Sequence, residues 1–414
     1  MPVNSLQRTL GVGGAIVIGL ASMLGAGVFF VWAPAADAAG SGLLIGLLIA
    51  GLVATANALS SVQLAMVHPV SGGTYAYARA TIGPWTGFTA GWLFLAGKTA
   101  SVGVIALVAG NYLWPDQARP LAIVAVVVLA VVNMTGIRST ATVSAGIVVV
   151  VLAGLAAVIV SALVAMPTTS APDLAEAQSG GLLGVLQSAG LLFFCFAGYA
   201  RMATLGEEVR EPRRTLPRAI LAALAIVLVV YAAVGAVSLG VLGPSALAES
   251  DAPLADVVGP SSPLAPVVLA VAGIACLGSL AGILAGLSRT SLAMARERDL
   301  PSALGFVSRW SSAPVVAEAS FALLAIVGIL VFDPARLVGF SSCAVLGYYA
   351  IAHLSALRQP AGERWLPRVV QFVGLAGCLV LAFTLPWQAF AYATIVLVLG
   401  LAGRILSRRV GRSG

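Results

Sequence analysis

The chain carries 22 basic and 15 acidic residues, and they fall almost entirely in short gaps between about twelve apolar stretches. At roughly 20 residues each, these stretches are long enough to cross a bilayer as helices. They are continuous and not alternating, which disfavours a β-barrel. With 60% hydrophobic residues, 9% charged residues and a mean hydropathy of +1.04, the chain has too little polar surface to coat a soluble globule of 414 residues. The reading is an all-α integral membrane protein.

The stretches run over 11–36, 41–66, 85–114, 119–136 and 141–166 in the first half, with ends good to about 3 residues. The second half supplies 182–209, 218–243, 264–296, 314–332, 335–357, 367–385 and 388–406. They are called spans 1 to 12. Most mix Gly, Ala and Ser with Val and Leu, a composition for close helix packing inside a bundle. The longest gaps, 67–84 and 167–181, leave no room for a soluble domain, so residues 1–414 read as one transmembrane unit.

Basic residues in short loops set the orientation. With the amino terminus in the cytoplasm, 18 arginines fall on that side, Arg119 and Arg336 fall outside, and Lys98 and Arg201 lie within spans. Both termini are therefore expected in the cytoplasm of a cell or inner membrane, with the 167–181 loop outside. The net charge of +7 is then a matter of topology and implies no nucleic acid. A cleaved signal peptide over residues 1–30 is disfavoured, because its apolar run is longer than a typical signal core.

Enzymatic and metal chemistry find no footing. Cys195, Cys276, Cys343 and Cys378 lie inside spans without metal-ligand spacing and read as small packing residues. His68 and His353, near cytoplasmic ends of spans 2 and 10, have no HExxH, GxSxG or paired intramembrane carboxylate beside them. No cofactor is implied. The phosphate loop of a primary pump is absent too.

Three anomalies remain. Gly25-Ala26-Gly27 falls near the middle of span 1, and Phe196-Ala197-Gly198-Tyr199 interrupts span 6. An unwound helix in a membrane leaves backbone groups unpaired, which is tolerated only where they line a cavity or bind something. Glycine allows non-helical dihedrals and close approach of a ligand. The amides opening the next half-helix suit a carboxylate, and the carbonyls ending the previous one, around Ser22 and Met23, suit a cation. The alternative is that these glycines only pack helices. Their positions, first and sixth in a chain whose spans 1–5 and 6–10 form two potential inverted repeats (11–166 and 182–357), point to a midplane substrate site.

The third anomaly is Lys98, the only lysine, roughly 13 residues from either end of span 3. A charged lysine at that depth costs about 2.5 to 3.5 kcal/mol on insertion scales. Kept from water, lysine can exist as the neutral amine and exchange a proton. Proton coupling is one reading; a structural lysine bonded to unwound carbonyls is the other.

Four segments carry a family resemblance. They are Met23-Leu24-Gly25-Ala26-Gly27-Val28-Phe29; Pro69-Val70-Ser71-Gly72-Gly73-Thr74-Tyr75-Ala76-Tyr77; and Phe194-Cys195-Phe196-Ala197-Gly198-Tyr199 with Glu207-Glu208-Val209-Arg210-Glu211-Pro212-Arg213-Arg214-Thr215-Leu216-Pro217-Arg218-Ala219-Ile220 after it. The last is Cys276-Leu277-Gly278-Ser279-Leu280 with Ala295-Arg296-Glu297-Arg298-Asp299-Leu300-Pro301. In order and placement they resemble the amino acid, polyamine and organocation transporter superfamily, specifically its bacterial amino acid permeases.

The resemblance implies a LeuT-type fold of two inverted five-helix repeats with discontinuous helices 1 and 6, and spans 11 and 12 (367–406) outside the core. It implies alternating access. The substrate carboxylate would meet amides at Gly25, Ala26 and Gly27, and its ammonium carbonyls near Ser22, Met23, Phe194, Cys195, Ala197 and Gly198. Phe194 matches a gating aromatic, with lipid or core packing as its other reading, and Ile283 stands where some members have a second aromatic.

One departure is Ala200-Arg201, where many relatives carry an acidic residue. Arg201 either lines the cytoplasmic route or pairs with Glu207 or Glu208. The expected partner is a small molecule, an amino acid with an apolar side chain, and a proton is the candidate coupling ion. The alternatives are a polyamine or organic-cation transporter, or a membrane sensor or channel.

Overall fold

The computed structural model describes residues 10–68, 72–136, 141–165, 180–203 and 209–410. The predicted outer loop at 167–181 therefore lies largely outside the described residues, as do Pro69, Val70, Ser71, Glu207 and Glu208. The described chain is all-helical. It forms α1 (Val12–Met23), α2 (Gly27–Phe30), α3 (Trp32–Ala39), α4 (Leu43–Val67), α5 (Thr74–Thr81), α6 (Pro84–Leu113), α7 (Ala118–Met134), α8 (Ala141–Ala165) and α9 (Gly181–Phe196). Then come α10 (Ala200–Ala203), α11 (Pro212–Ala248), α12 (Pro253–Val258), α13 (Ala265–Arg296), α14 (Val315–Val331), α15 (Pro334–Arg358), α16 (Arg368–Thr384) and α17 (Trp387–Val410).

Among the described residues, nine helical runs are long and apolar enough to cross a membrane, and α1, α14 and α16 are shorter apolar helices. One of the nine, Trp32–Val67, bends at Gly40, whose φ of 56° no β-branched or bulky residue would hold cheaply. It thus contains the end of predicted span 1 and all of span 2. Helix lies on each of the twelve predicted stretches. At span 7 the boundary differs, since α11 begins at Pro212 and not at 218. Proline suits a first helical position, since its missing N–H would be unpaired there anyway.

α6 lies at the centre. Of its most apolar window 89% is buried, against 17% for Pro115–Met134, so the apolar α7 faces outward and α6 faces protein. Small residues let its neighbours approach: a Cβ on Gly97 would stand 3.0 Å from Val345 Cγ2 and 3.2 Å from the Ser341 carbonyl of α15. One turn on, the Ser101 and Ser341 hydroxyls bond at 2.8 Å.

At one end of the bundle a buried ion cluster joins four segments. Asp299, 6% exposed, pairs through Oδ1 with Arg404 of α17 and through Oδ2, at 3.0 Å, with Arg79 of α5. Tyr75 donates to the same Oδ2 at 3.0 Å. Burial, with the Asp299 carboxylate beside it, raises the Tyr75 pKa, so the hydroxyl keeps the proton it donates. Arg404 also donates to the Pro84 carbonyl at 2.7 Å and lies over the Trp85 and Phe88 rings. Removing one member of a buried ion cluster strands the others, at about 3–5 kcal/mol. Asp299→Ala should accordingly lower the detergent-solubilised protein's unfolding temperature far more than Arg336→Ala, whose partner Asp333 is half exposed.

Candidate functional site

The helix of span 1 stops after Met23. Leu24 leaves helical dihedrals (φ −78°, ψ 55°), and the Gly25 N–H turns back to the Met23 carbonyl at 2.8 Å. Helix resumes at Gly27 and passes through Val31 in α-helical geometry into α3. The amides at Ala26 and Gly27 therefore open a new helical segment, where intrahelical acceptors are missing. Span 6 is interrupted at its predicted place, but by a tightened turn: Ala197–Tyr199 is a 3-10 segment between α9 and α10. A 3-10 turn shifts hydrogen bonds by one residue and exposes carbonyls without a full break.

The two interruptions touch. A Cβ on Gly198 would lie 2.8 Å from the Met23 amide nitrogen and would overlap the Ser22 carbonyl. A Cβ on Gly27 would lie 2.8 Å from Cys195 Sγ and 3.1 Å from Cys195 Cα. Gly25 faces Ser279 of α13, whose Cβ would be 3.0 Å away and whose hydroxyl would clash. None of the three glycines has a positive φ, so what they supply here is space and not unusual dihedrals.

Neighbouring helices reach into the same place. Tyr231 of α11, fully buried, has its hydroxyl 2.6 Å from the Met23 carbonyl and 3.2 Å from the Cys195 carbonyl, one donor bridging both interruptions. Lys98, 8% exposed, donates from Nζ to the Ala197 carbonyl at 3.3 Å. Tyr112 of α6 donates to the Phe29 carbonyl at 2.7 Å, holding the resumed part of span 1. The Ser279 hydroxyl is buried and makes no hydrogen bond. Ile283 follows Ser279 by four residues, on the same face of α13. Phe194 is half-buried, whereas Phe193 and Phe196 are fully enclosed.

The structure thus brings Ser22, Met23, Gly25, Gly27, Cys195, Ala197, Gly198 and Lys98 together; Phe194 joins them through its carbonyl, which accepts the Ala197 amide, and Ile283 lies one turn beyond Ser279 on α13. Several expected cation-binding carbonyls already hold protein donors: Met23 and Cys195 take Tyr231, Ala197 takes Lys98, and Phe194 takes the Ala197 amide. A carbonyl has a second lone pair, so Cys195 and Ala197 keep room for one further donor, whereas the Met23 carbonyl also takes the Gly25 amide. The side chain of Arg201 lies outside the described residues.

Sequence reasoning missed Tyr231, Ser279 as a lining group, and Glu318. Tyr231 carried a signal, being a polar group well inside an apolar stretch, and Glu318 a weaker one, as a carboxyl in the first turn of one. His353 lies near the end of α15, as its position in span 10 implied. It is fully buried, with Nε2 2.7 Å from Asn57 Oδ1. Among the described residues no group of three or more His, Cys, Asp or Glu is placed to hold a metal ion.

Comparison with known proteins places this geometry in context. The chain is 48% identical over 415 residues to an uncharacterized transporter of Mycobacterium tuberculosis, covering 98% of this chain and 93% of the relative. It is 26% identical to the branched-chain amino acid permease BcaP of Bacillus subtilis over 96% of this chain and 92% of that protein. It is 27% identical to the chloroplastic cationic amino acid transporter 7 of Arabidopsis thaliana, over 93% of this chain and 71% of that one. The model of the amino acid permease family matches residues 14–361. The chain is a multi-pass membrane transporter and belongs to the amino acid permease family of the APC superfamily.

Proposed function

We propose that the protein is a secondary transporter of an amino acid with an apolar side chain, working by alternating access in a LeuT-type arrangement of two inverted five-helix repeats. The observation that carries this is the meeting of two interrupted helices from the two halves, Gly198 against Ser22 and Gly27 against Cys195. The substrate carboxylate binds the amides of Ala26 and Gly27, where helix resumes, and that of Gly25 once it lets go of the Met23 carbonyl. Its ammonium binds the remaining lone pairs at Ser22, Cys195 and Ala197. The unpartnered Ser279 hydroxyl supplies one more hydrogen bond, and Phe194 and Ile283 bound the side-chain pocket.

The similarity to a branched-chain permease supports an apolar substrate. A relative is named for cationic amino acids. The side chains around these interruptions include no carboxylate among the described residues, so a second positive charge would have no partner there. Lys98 fits a proton-coupling role, because its hydrogen bond to Ala197 ties α6 to the interruption and exists as charge-assisted only while the amine is protonated.

The test is exchange in proteoliposomes. Leucine, isoleucine or valine should exchange against preloaded substrate, and arginine and putrescine should not; the converse pattern would overturn the apolar pocket. The arrangement with both termini in the cytoplasm makes its own prediction, best read in a background lacking the four native cysteines. A cysteine at the exposed Gln117 should react with an impermeant thiol reagent in intact cells, and one at the exposed Gly362 should react only after lysis.

A further inference from the structure

Glu318 is a carboxyl set inside the protein with half of its hydrogen bonding unmet. It stands in the first turn of α14, 2% exposed. Oε1 lies 3.3 Å from the Ser288 hydroxyl of α13, which it shares with the Ala285 carbonyl at 3.1 Å, while Oε2 is buried and accepts nothing. An ionised oxygen in that position pays the full cost of lost water, whereas a neutral acid does not. The side chain beside it is Asn133 of α7. Asn133 donates from Nδ2 to the Ala281 carbonyl of α13 at 3.1 Å. Ala281 lies between Ser279, which faces Gly25, and Ile283.

The charged and titratable groups on the elements packed against α14 are few. α13 presents Arg289, exposed at the same end and facing Glu318. It also carries Arg296, close to its loop end, and Cys276, more than three turns away from Ser288. α6 carries Lys98, whose ammonium is committed to Ala197, and Tyr112 toward the opposite end. α7 carries only Arg119, at its far end, and Ser302–Gly305 carries none.

We propose that Glu318 is a proton-binding site that controls the hold of α7 on α13 beside the substrate cleft, so that pH at the loop end of α14 modulates transport. As the acid, Glu318 donates its proton to an Asn133 or Ser288 oxygen, and Asn133 Nδ2 keeps the Ala281 carbonyl. After the proton leaves to water at that end, the carboxylate competes with Ala281 for the Asn133 N–H and loosens α13. Lys98 acts at the interruption itself; Glu318 acts on the helix behind it. The proposal rests on the transporter reading above.

Glu318→Gln mimics the neutral acid without changing shape. Exchange of an apolar amino acid between equal internal and external pools, with no imposed pH gradient, should vary several-fold with pH in the parent and become nearly flat in Glu318→Gln. Infrared difference spectra of purified protein between mildly acidic and mildly alkaline buffer should show a protonated-carboxyl band that vanishes in Glu318→Gln. Asn133→Leu should keep the band and lose the pH dependence of exchange. A Glu318→Gln variant with the parent's pH profile, or a parent whose band is indifferent to pH, overturns the proposal. A parent that exchanges no amino acid at any pH would instead sink the transporter reading, while the infrared arm still reports on Glu318.

Discussion

Replacing Gly27 by leucine is expected to reduce substrate binding and exchange to background, a loss of at least about 100-fold, or ~3 kcal/mol at roughly 1.4 kcal/mol per tenfold. Even a Cβ at this position would sit 3.1 Å from Cys195 Cα, and backbone cannot rotate aside. The isobutyl group must separate the two interrupted helices, and with them the amides and carbonyls proposed to hold the two ends of an amino acid. Gly25→Ala is the informative companion. Its clash is with the Ser279 side chain and not with backbone, so this variant should fold while losing binding. Scintillation-proximity binding and gel filtration on both variants separate the two effects. Parent-like binding by Gly27→Leu would remove the span 1 interruption from the site.

The second large effect is expected at Lys98. Lys98→Met should lose accumulation driven by an imposed pH gradient while keeping some exchange of substrate down its own gradient. Lys98→Arg should lose the drive as well, since guanidinium does not give up its proton under protein conditions. The reason is the single hydrogen bond from Nζ to the Ala197 carbonyl, in the 3-10 segment that abuts Ser22 through Gly198. Protonation strengthens that bond and deprotonation weakens it, so the proton and the substrate act on one conformational equilibrium. Uptake into proteoliposomes with the interior alkaline is the measurement. If Lys98→Met accumulates to the parent's level with unchanged pH dependence, the lysine is a structural clamp on the interruption and nothing more.

Much of this was legible in one dimension. The length of an apolar run measures a bilayer, so the helical stretches could be drawn from composition and spacing, and helix occupies every one of them. The pair Gly25 and Gly27, with Gly198 in the sixth stretch, marked where helix would be interrupted. A lone lysine among 21 arginines, deep in an apolar run, marked itself by its cost.

What each interruption would look like, and what would meet it, depended on neighbours far away in the chain. The span 6 interruption is a 3-10 turn met by Tyr231, Lys98 and the backbone of Ser22 and Met23 from three other helices. Sequence determined that this chain crosses a membrane many times and where its helices could yield, since both follow from local hydrophobicity and small residues. Tertiary structure alone decided that Gly198 seats on Ser22, that one tyrosine hydroxyl spans Met23 and Cys195, and that Glu318 is left with a bare oxygen inside the protein. Such pairings join residues up to some 200 positions apart, and a hydrogen bond is set by angles and distances of a few ångströms that no local pattern encodes.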